Sequence, residues 1–262
     1  MVVTTRANVL TGAVVVVVLG FSAFLTPAAP ITASPTMAQS VSPIRGFSNS
    51  LRKIEDLLDR GRGIEAETLA RALLAKVEEI KGPDALEVAQ VLDLLLRAVR
   101  PSPKVTPEQK REMAERAVAI KERTLGPLHP ELATSLISLG VQRTLEGDPA
   151  AAKPLLERGL AIREGAFGPD HPLVAGALHS LAGLAIIQQD DERAKVLIER
   201  AQRIREAAYG PDHPDTIRTL VNLAILYQET GDYPAARQRY ERALGLAERM
   251  RGSTHVRTLN LF

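Results

Sequence analysis

The sequence predicts an all-α solenoid of about five stacked helix pairs, and three observations lead there. Gly126, Gly168, Gly210 and Gly252 recur at intervals of 42 residues, and so do His129, His171, His213 and His255. Between these markers apolar residues fall in steps of three, the spacing that lines one face of a helix. Composition agrees: 45% of the 262 residues are apolar, yet only 3% are aromatic and none is tryptophan. Alanine and leucine carry the apolar content, which suits helices packed closely through small and straight-chain residues. A sandwich would draw instead on β-branched and aromatic ones.

The first residues read as an address. After Arg6 an apolar run extends from Val9 to Leu25, with five valines in a row at Val14–Val18, and a Pro/Ala/Ser/Thr-rich exit follows from Thr26 to Ser40. A basic start, an apolar middle and a small-residue exit are the pattern of a secretory signal. Residues 1–38 are assigned to it, with cleavage after Ala38 and Thr36 at the minus-three position. The remainder is then exported, periplasmic or secreted. An uncleaved segment would instead tether a sensory or regulatory ectodomain to the membrane. Its seventeen residues fall short of the roughly 20 that a spanning helix needs.

Residues 39–46 form a linker. Leu51–Arg60 and Ile64–Lys81 predict a degenerate helix pair within 47–81, placed as the atypical cap a solenoid needs where stacking ends. Four units follow, at 82–125, 126–167, 168–209 and 210–251. The first opens on Gly82-Pro83-Asp84 and sets Ala89, Leu92 and Leu95 on one face. Its internal turn, Pro101 to Pro107, is longer by two residues, which explains the 44-residue step from Gly82 to Gly126. The next three open Leu125-Gly-Pro-Leu-His-Pro130, Phe167-Gly-Pro-Asp-His-Pro172 and Tyr209-Gly-Pro-Asp-His-Pro214. Ala133, Leu136 and Leu139 recur as Ala175, Leu178 and Leu181, then as Ile217, Leu220 and Leu223. Turns are predicted at Gly147-Asp148, Gln189-Asp190 and Gly231-Asp232, where a left-handed residue ends one helix and an aspartate caps the next. Residues 252–262 begin a further unit that stops at Phe262. An incomplete pair there leaves apolar surface that a second copy can cover.

These residues resemble the tetratricopeptide repeat, specifically the 42-residue kinesin-light-chain type. Unit 210–251 carries the resemblance best: Leu220, Asn222-Leu223-Ala224, Tyr227, Gly231-Asp232-Tyr233, Ala236, Tyr240 and Arg242-Ala243-Leu244. Units 126–167 and 168–209 depart from it, with Arg143 and Ala185 in the tyrosine column and Gln189 in place of the turn glycine. The resemblance implies a right-handed superhelix of helix pairs with first helices lining its concave side. It also implies a module that binds a peptide or partner protein there, without chemistry. Asn222 stands in the column where family members often carry an asparagine that grips a peptide backbone. Ser138 and Ser180 fill that column in the two preceding units. Arg218 and Gln228 flank Asn222, and His179, on the column of Ile137 and Val221, tends to the same face. These six are the expected partner-binding residues. Repeats of this type also precede catalytic domains, so a repeat fragment of a larger protein is a further expectation.

Other chemistry is not expected. The chain has no cysteine, which removes disulfides, zinc ribbons, thiol catalysis and lipidation of an N-terminal cysteine. Lys+Arg 33 against Asp+Glu 31 leaves +2, too balanced for a nucleic-acid surface. The ladder histidines tempt as metal ligands, but a shared ion needs them about 2.0–2.1 Å away. Equivalent positions on successive helices stand roughly 8–10 Å apart or more. His171 and His179 are eight residues apart, not the four of a zinc-binding helix. Arg158, Arg200 and Arg242, each preceded by a glutamate, predict solvent-facing salt bridges. Gly61-Arg-Gly63 lacks the length and the lysine of a phosphate loop, and no G-x-S-x-G or H-E-x-x-H occurs. Neither a cofactor, a metal nor a catalytic residue is assigned.

Overall fold

A computed structural model describes residues 46–100 and 102–252. The expected signal and most of the linker, residues 1–45, and the expected start of a further repeat beyond Gly252 lie outside the described residues. Ten helices and no strand occur among the described residues. In chain order they are α1 (Phe47–Asp59), α2 (Gly63–Lys81), α3 (Leu86–Val99), α4 (Pro107–Leu125), α5 (Pro130–Leu145), α6 (Pro149–Phe167), α7 (Pro172–Ile187), α8 (Asp191–Tyr209), α9 (Pro214–Glu229) and α10 (Tyr233–Gly252). They make the five pairs the spacing predicts. None is long and apolar enough to cross a membrane.

The described chain divides into two compact units, 46–162 and 163–252. In the first, α1 packs on α2 and α3, and α4 sits against both α3 and α5. Ile54, Ala66, Ala70, Val77, Leu92, Leu95 and Ile120 are its buried centre. Ala89, Leu92, Leu95, Ala133, Leu136 and Leu139, the residues predicted to face inward, are all buried. The second unit repeats the scheme with α7 on α8, α8 on α9 and α9 on α10, around Ala182, Ala194, Ile198, Leu223 and Leu226.

Local sequence sets each boundary. Thr106 caps α4 in a full capping box with Gln109, and Pro107 takes the first helical position, where its missing N–H costs nothing. His129 and His171 cap α5 and α7, each followed by a proline at the first position. Asp148 Oδ1 accepts from the Ala151 N–H, Asp190 Oδ1 from Arg193 and Asp232 Oδ1 from Ala235. The left-handed residue before each of these aspartates is Gly147, Gln189 or Gly231. Gln189 holds φ 59 without a glycine's freedom, a strain of about 1 kcal/mol that the flanking helices impose. Helix α1 begins at Phe47, four residues ahead of the predicted Leu51. Phe47 is 5% exposed, and a core contact that early extends the helix back to Gly46.

Within the pair α5 and α6, glycine allows close approach. A Cβ on Gly140 would stand 2.7 Å from Leu156 Cγ, and one on Gly159 2.7 Å from Ile137 Cγ1.

Candidate functional site

Successive repeats are joined by two recurring polar devices. The first is a surface clasp. Arg116 reaches back to Glu78 at 2.7 Å and to the Pro83 carbonyl at 2.6 Å. Arg158 repeats this on Glu122 (2.6 Å) and Pro127 (3.0 Å), and Arg200 on Glu164 (2.7 Å) and Pro169 (3.1 Å). Arg242 pairs likewise with Glu206. The expected salt bridges of this arginine column therefore exist, but their partners lie one repeat back and not beside them in sequence. Half-exposed pairs of this kind contribute about 0.2–1 kcal/mol each. They fix how each second helix meets the preceding Gly-Pro turn.

The second device is buried. Lys121 on α4 is 3% exposed and places Nζ 2.6 Å from Asp93 Oδ2 on α3. Nζ also donates to the Glu131 carbonyl on α5 at 3.1 Å, and Ser135 Oγ donates to Asp93 Oδ1 at 2.9 Å. Arg163 and Arg205 occupy the Lys121 column one and two repeats on. Arg163 Nη1 donates to the Leu173 carbonyl at 2.7 Å, the equivalent of Glu131, and Arg205 Nη1 donates to Thr219 Oγ1. Burial pushes the Arg205 guanidinium down to about 10. A cation every 42 residues was the signal in the sequence that announced this column.

Two of the ladder histidines, His129 and His171, serve as helix caps. His129 Nδ1 accepts from the Glu131 N–H and His171 Nδ1 from the Leu173 N–H, both at 3.2 Å. His171 stacks on Phe167 with ring centroids 4.8 Å apart, and His213 on Tyr209 at 4.5 Å. An imidazole that accepts through Nδ1 must keep that nitrogen unprotonated. Burial lowers the pKa of His171, helped by Arg163 nearby. Burial also lowers that of His213, helped by Arg218 and Arg205. Folded-state values below the unfolded ~6.5 mean the unfolded chain binds more protons. The stability these histidines contribute is present above pH ~6.5 and is lost as pH falls through their folded values. Thermal melts followed by circular dichroism between pH 7.5 and 5 should therefore show falling stability. His171→Asn, which caps without titrating, should flatten that slope.

The six expected partner-binding residues separate into two depths. Arg218 on α9 and Ser138 on α5 are half-buried, and Gln228 on α9 is exposed. His179 and Ser180 on α7 and Asn222 on α9 are buried. Asn222 Nδ2 donates to His179 Nε2 at 3.0 Å, so these two meet each other across neighbouring first helices. Ser180 Oγ donates to the Gly176 carbonyl within its own helix at 3.3 Å. Gln228 Oε1 accepts from the Tyr240 hydroxyl at 3.4 Å. Tyr227, one residue before it, donates its hydroxyl to Glu199 at 2.7 Å beneath the Lys195 ammonium, 4.7 Å from the ring centre. Ser138 lies in the first unit and lines a cavity of about 110 Å³ with Arg100, Lys110 and Gln142. Among the described residues no cluster of three or more His, Asp or Glu side chains is placed to hold a metal.

Comparison with known proteins agrees with this architecture. A family model described as tetratricopeptide repeat matches residues 173–249, and a second of the same description matches residues 132–173. No curated protein matches the chain. Among solved structures, BtubC (BKLC) from P. vanneervenii superposes with a TM-score of 0.60 at 22% identity, covering 79% of this chain and 91% of that one. The nearly identical TPR-like repeats of a putative kinesin light chain from Podosopora anserina give a TM-score of 0.57, also at 22% identity, covering 78% of this chain and 96% of that one. A second crystal structure of those repeats gives 0.59 with the same identity and coverage. At such identity the likeness is one of fold. That fold is a scaffold for protein–protein interaction, and no catalytic family is indicated. Repeat register, helix pairs and matches coincide: residues 132–249 carry tetratricopeptide repeats, and the fold is that of the solved kinesin-light-chain-like repeats.

Proposed function

We propose that this chain is a non-enzymatic interaction module that works outside the cytoplasm and holds a peptide or partner protein on the concave face built by its first helices. The observation that carries this is the fold of the repeat. Each unit buries its apolar columns against its own second helix and its neighbours, and binding on the wall that remains needs only surface complementarity. On α9 that wall offers a half-buried guanidinium, Arg218, and an exposed amide, Gln228. Asn222 and His179 lie beneath and brace each other, so they shape the wall while Arg218 and Gln228 meet the ligand first. Placement outside the cytoplasm is supported by the Arg6, Val9–Leu25 and Thr26–Ser40 pattern.

The test is a pull-down from the exported fraction with the full chain as bait, followed by affinity measurement for the protein recovered. Arg218→Ala with Gln228→Ala should weaken that protein about tenfold or more, the loss of a charged and a neutral hydrogen bond. Far-UV circular dichroism should not change. Unaltered affinity would move the site elsewhere. Recovery of the chain only from the cytoplasm would overturn the location, and N-terminal sequencing of exported material should begin at Gln39.

A further inference from the structure

We infer that the cavity between α3, α4 and α5 is a binding site for a short aliphatic carboxylate. It is lined by two cations, Arg100 at the end of α3 and Lys110 on α4, by the polar Ser138 and Gln142, and by apolar side chains including Leu96 and Val141. Among the described residues no aspartate or glutamate lines it. About 110 Å³ holds several water-sized groups, enough for a carboxylate and the methylenes behind it.

Lys110 is anchored to the main chain at the end of α3. Lys110 Nζ donates to the Arg100 carbonyl at 3.0 Å and to the Ser102 carbonyl at 3.1 Å. An ammonium has three donors, so one N–H remains beyond those two bonds. Burial lowers the Lys110 pKa and the neighbouring Arg100 lowers it further, with Glu67 opposing. Burial, with Arg97 adding, pushes the Arg100 guanidinium down to about 10. The remaining Lys110 N–H and the Ser138 hydroxyl both belong to residues lining the hollow and can donate to an anion there. Glu146 approaches Gln142 at 3.5 Å, but its carboxylate is engaged by Arg111 at 3.3 Å and Arg143 at 3.9 Å. The apolar side of the hollow selects an aliphatic carboxylate over a bare inorganic anion. A glutamate side chain and a chain-terminal carboxylate share that chemistry.

This site goes beyond the surface around Arg218 and stands or falls separately from it. The test titrates the ¹⁵N-labelled full chain with three peptides: acetyl-Ala-Leu-Glu-amide, its Gln counterpart, and acetyl-Ala-Leu with a free carboxyl end. Saturable shifts at Leu96, Ser138 and Val141 are expected with one or both carboxylates, and their ratio identifies the source. The Gln peptide should bind about tenfold or more weakly, as for loss of a charge-assisted pair. Lys110→Gln, which keeps donors for the two carbonyls, and Arg100→Gln should each weaken the preferred carboxylate about fivefold or more. Arg218→Ala with Gln228→Ala should leave it unchanged. Equal binding of Glu, Gln and free-carboxyl peptides to the unsubstituted chain would overturn the inference, whatever the variants' folding. So would shifts confined to other residues.

Discussion

Replacing Lys121 by methionine should destabilise the first unit by about 3–5 kcal/mol, the cost of leaving a buried carboxylate without its cation. Lys121 is 3% exposed and ties three helices at once: Asp93 on α3, its own α4, and the Glu131 carbonyl on α5. Methionine fills the same channel with a similar stem, so the loss reports charge and hydrogen bonds more than volume. Ser135 still donates to Asp93, but one neutral hydroxyl does not replace an ammonium at 2.6 Å. Urea unfolding followed at 222 nm measures the effect, since the chain has no tryptophan. Asp93→Leu with Lys121→Met should recover most of the loss, because apolar replacement of a whole buried pair is often neutral or stabilising. A Lys121→Met midpoint within error of the unsubstituted chain would show that water reaches Asp93.

How far the sequence foretold this structure depends on whether a feature repeats within one helix or faces across two. Apolar columns and turns repeat, so the helical solenoid of paired helices was legible, even where Gln189 replaces the glycine. The arginine column repeats as well, but repetition does not name its partners. Periodicity shows that Arg200 recurs, not that it reaches Glu164, 36 residues back. Lys121, Arg163 and Arg205 were legible at the same spacing, yet a search for apolar faces passes over buried cations. His179 and Asn222 show the deeper limit. Their spacing places both on first helices, but only three-dimensional packing turns each toward the other, 43 positions apart. The cavity between Arg100 and Lys110 had no repeated signal at all, since it arises where the register is broken by two extra residues.

Truncating Leu136 to alanine should cost about 2–5 kcal/mol, the range for a buried leucine whose site relaxes only in part. Leu136 is fully buried and packs with Leu132, Ala133 and Ile162, with Val118 of α4 and Leu155 of α6 against the same cluster. It therefore joins the second helix of one repeat to both helices of the next. The close fit of α5 on α6 at Gly140 and Gly159 limits collapse into the space left, which favours the upper part of the range. A solenoid is held by nearest-neighbour interfaces, so weakening one of them uncouples the repeats on either side. Urea unfolding of Leu136→Ala should thus show a lower midpoint and a shallower transition, the mark of lost two-state behaviour. Leu128→Ala is the control: Leu128 is 77% exposed and its loss should cost less than about 0.5 kcal/mol. If both variants unfolded alike, the α4–α5–α6 interface would not be what holds this unit together.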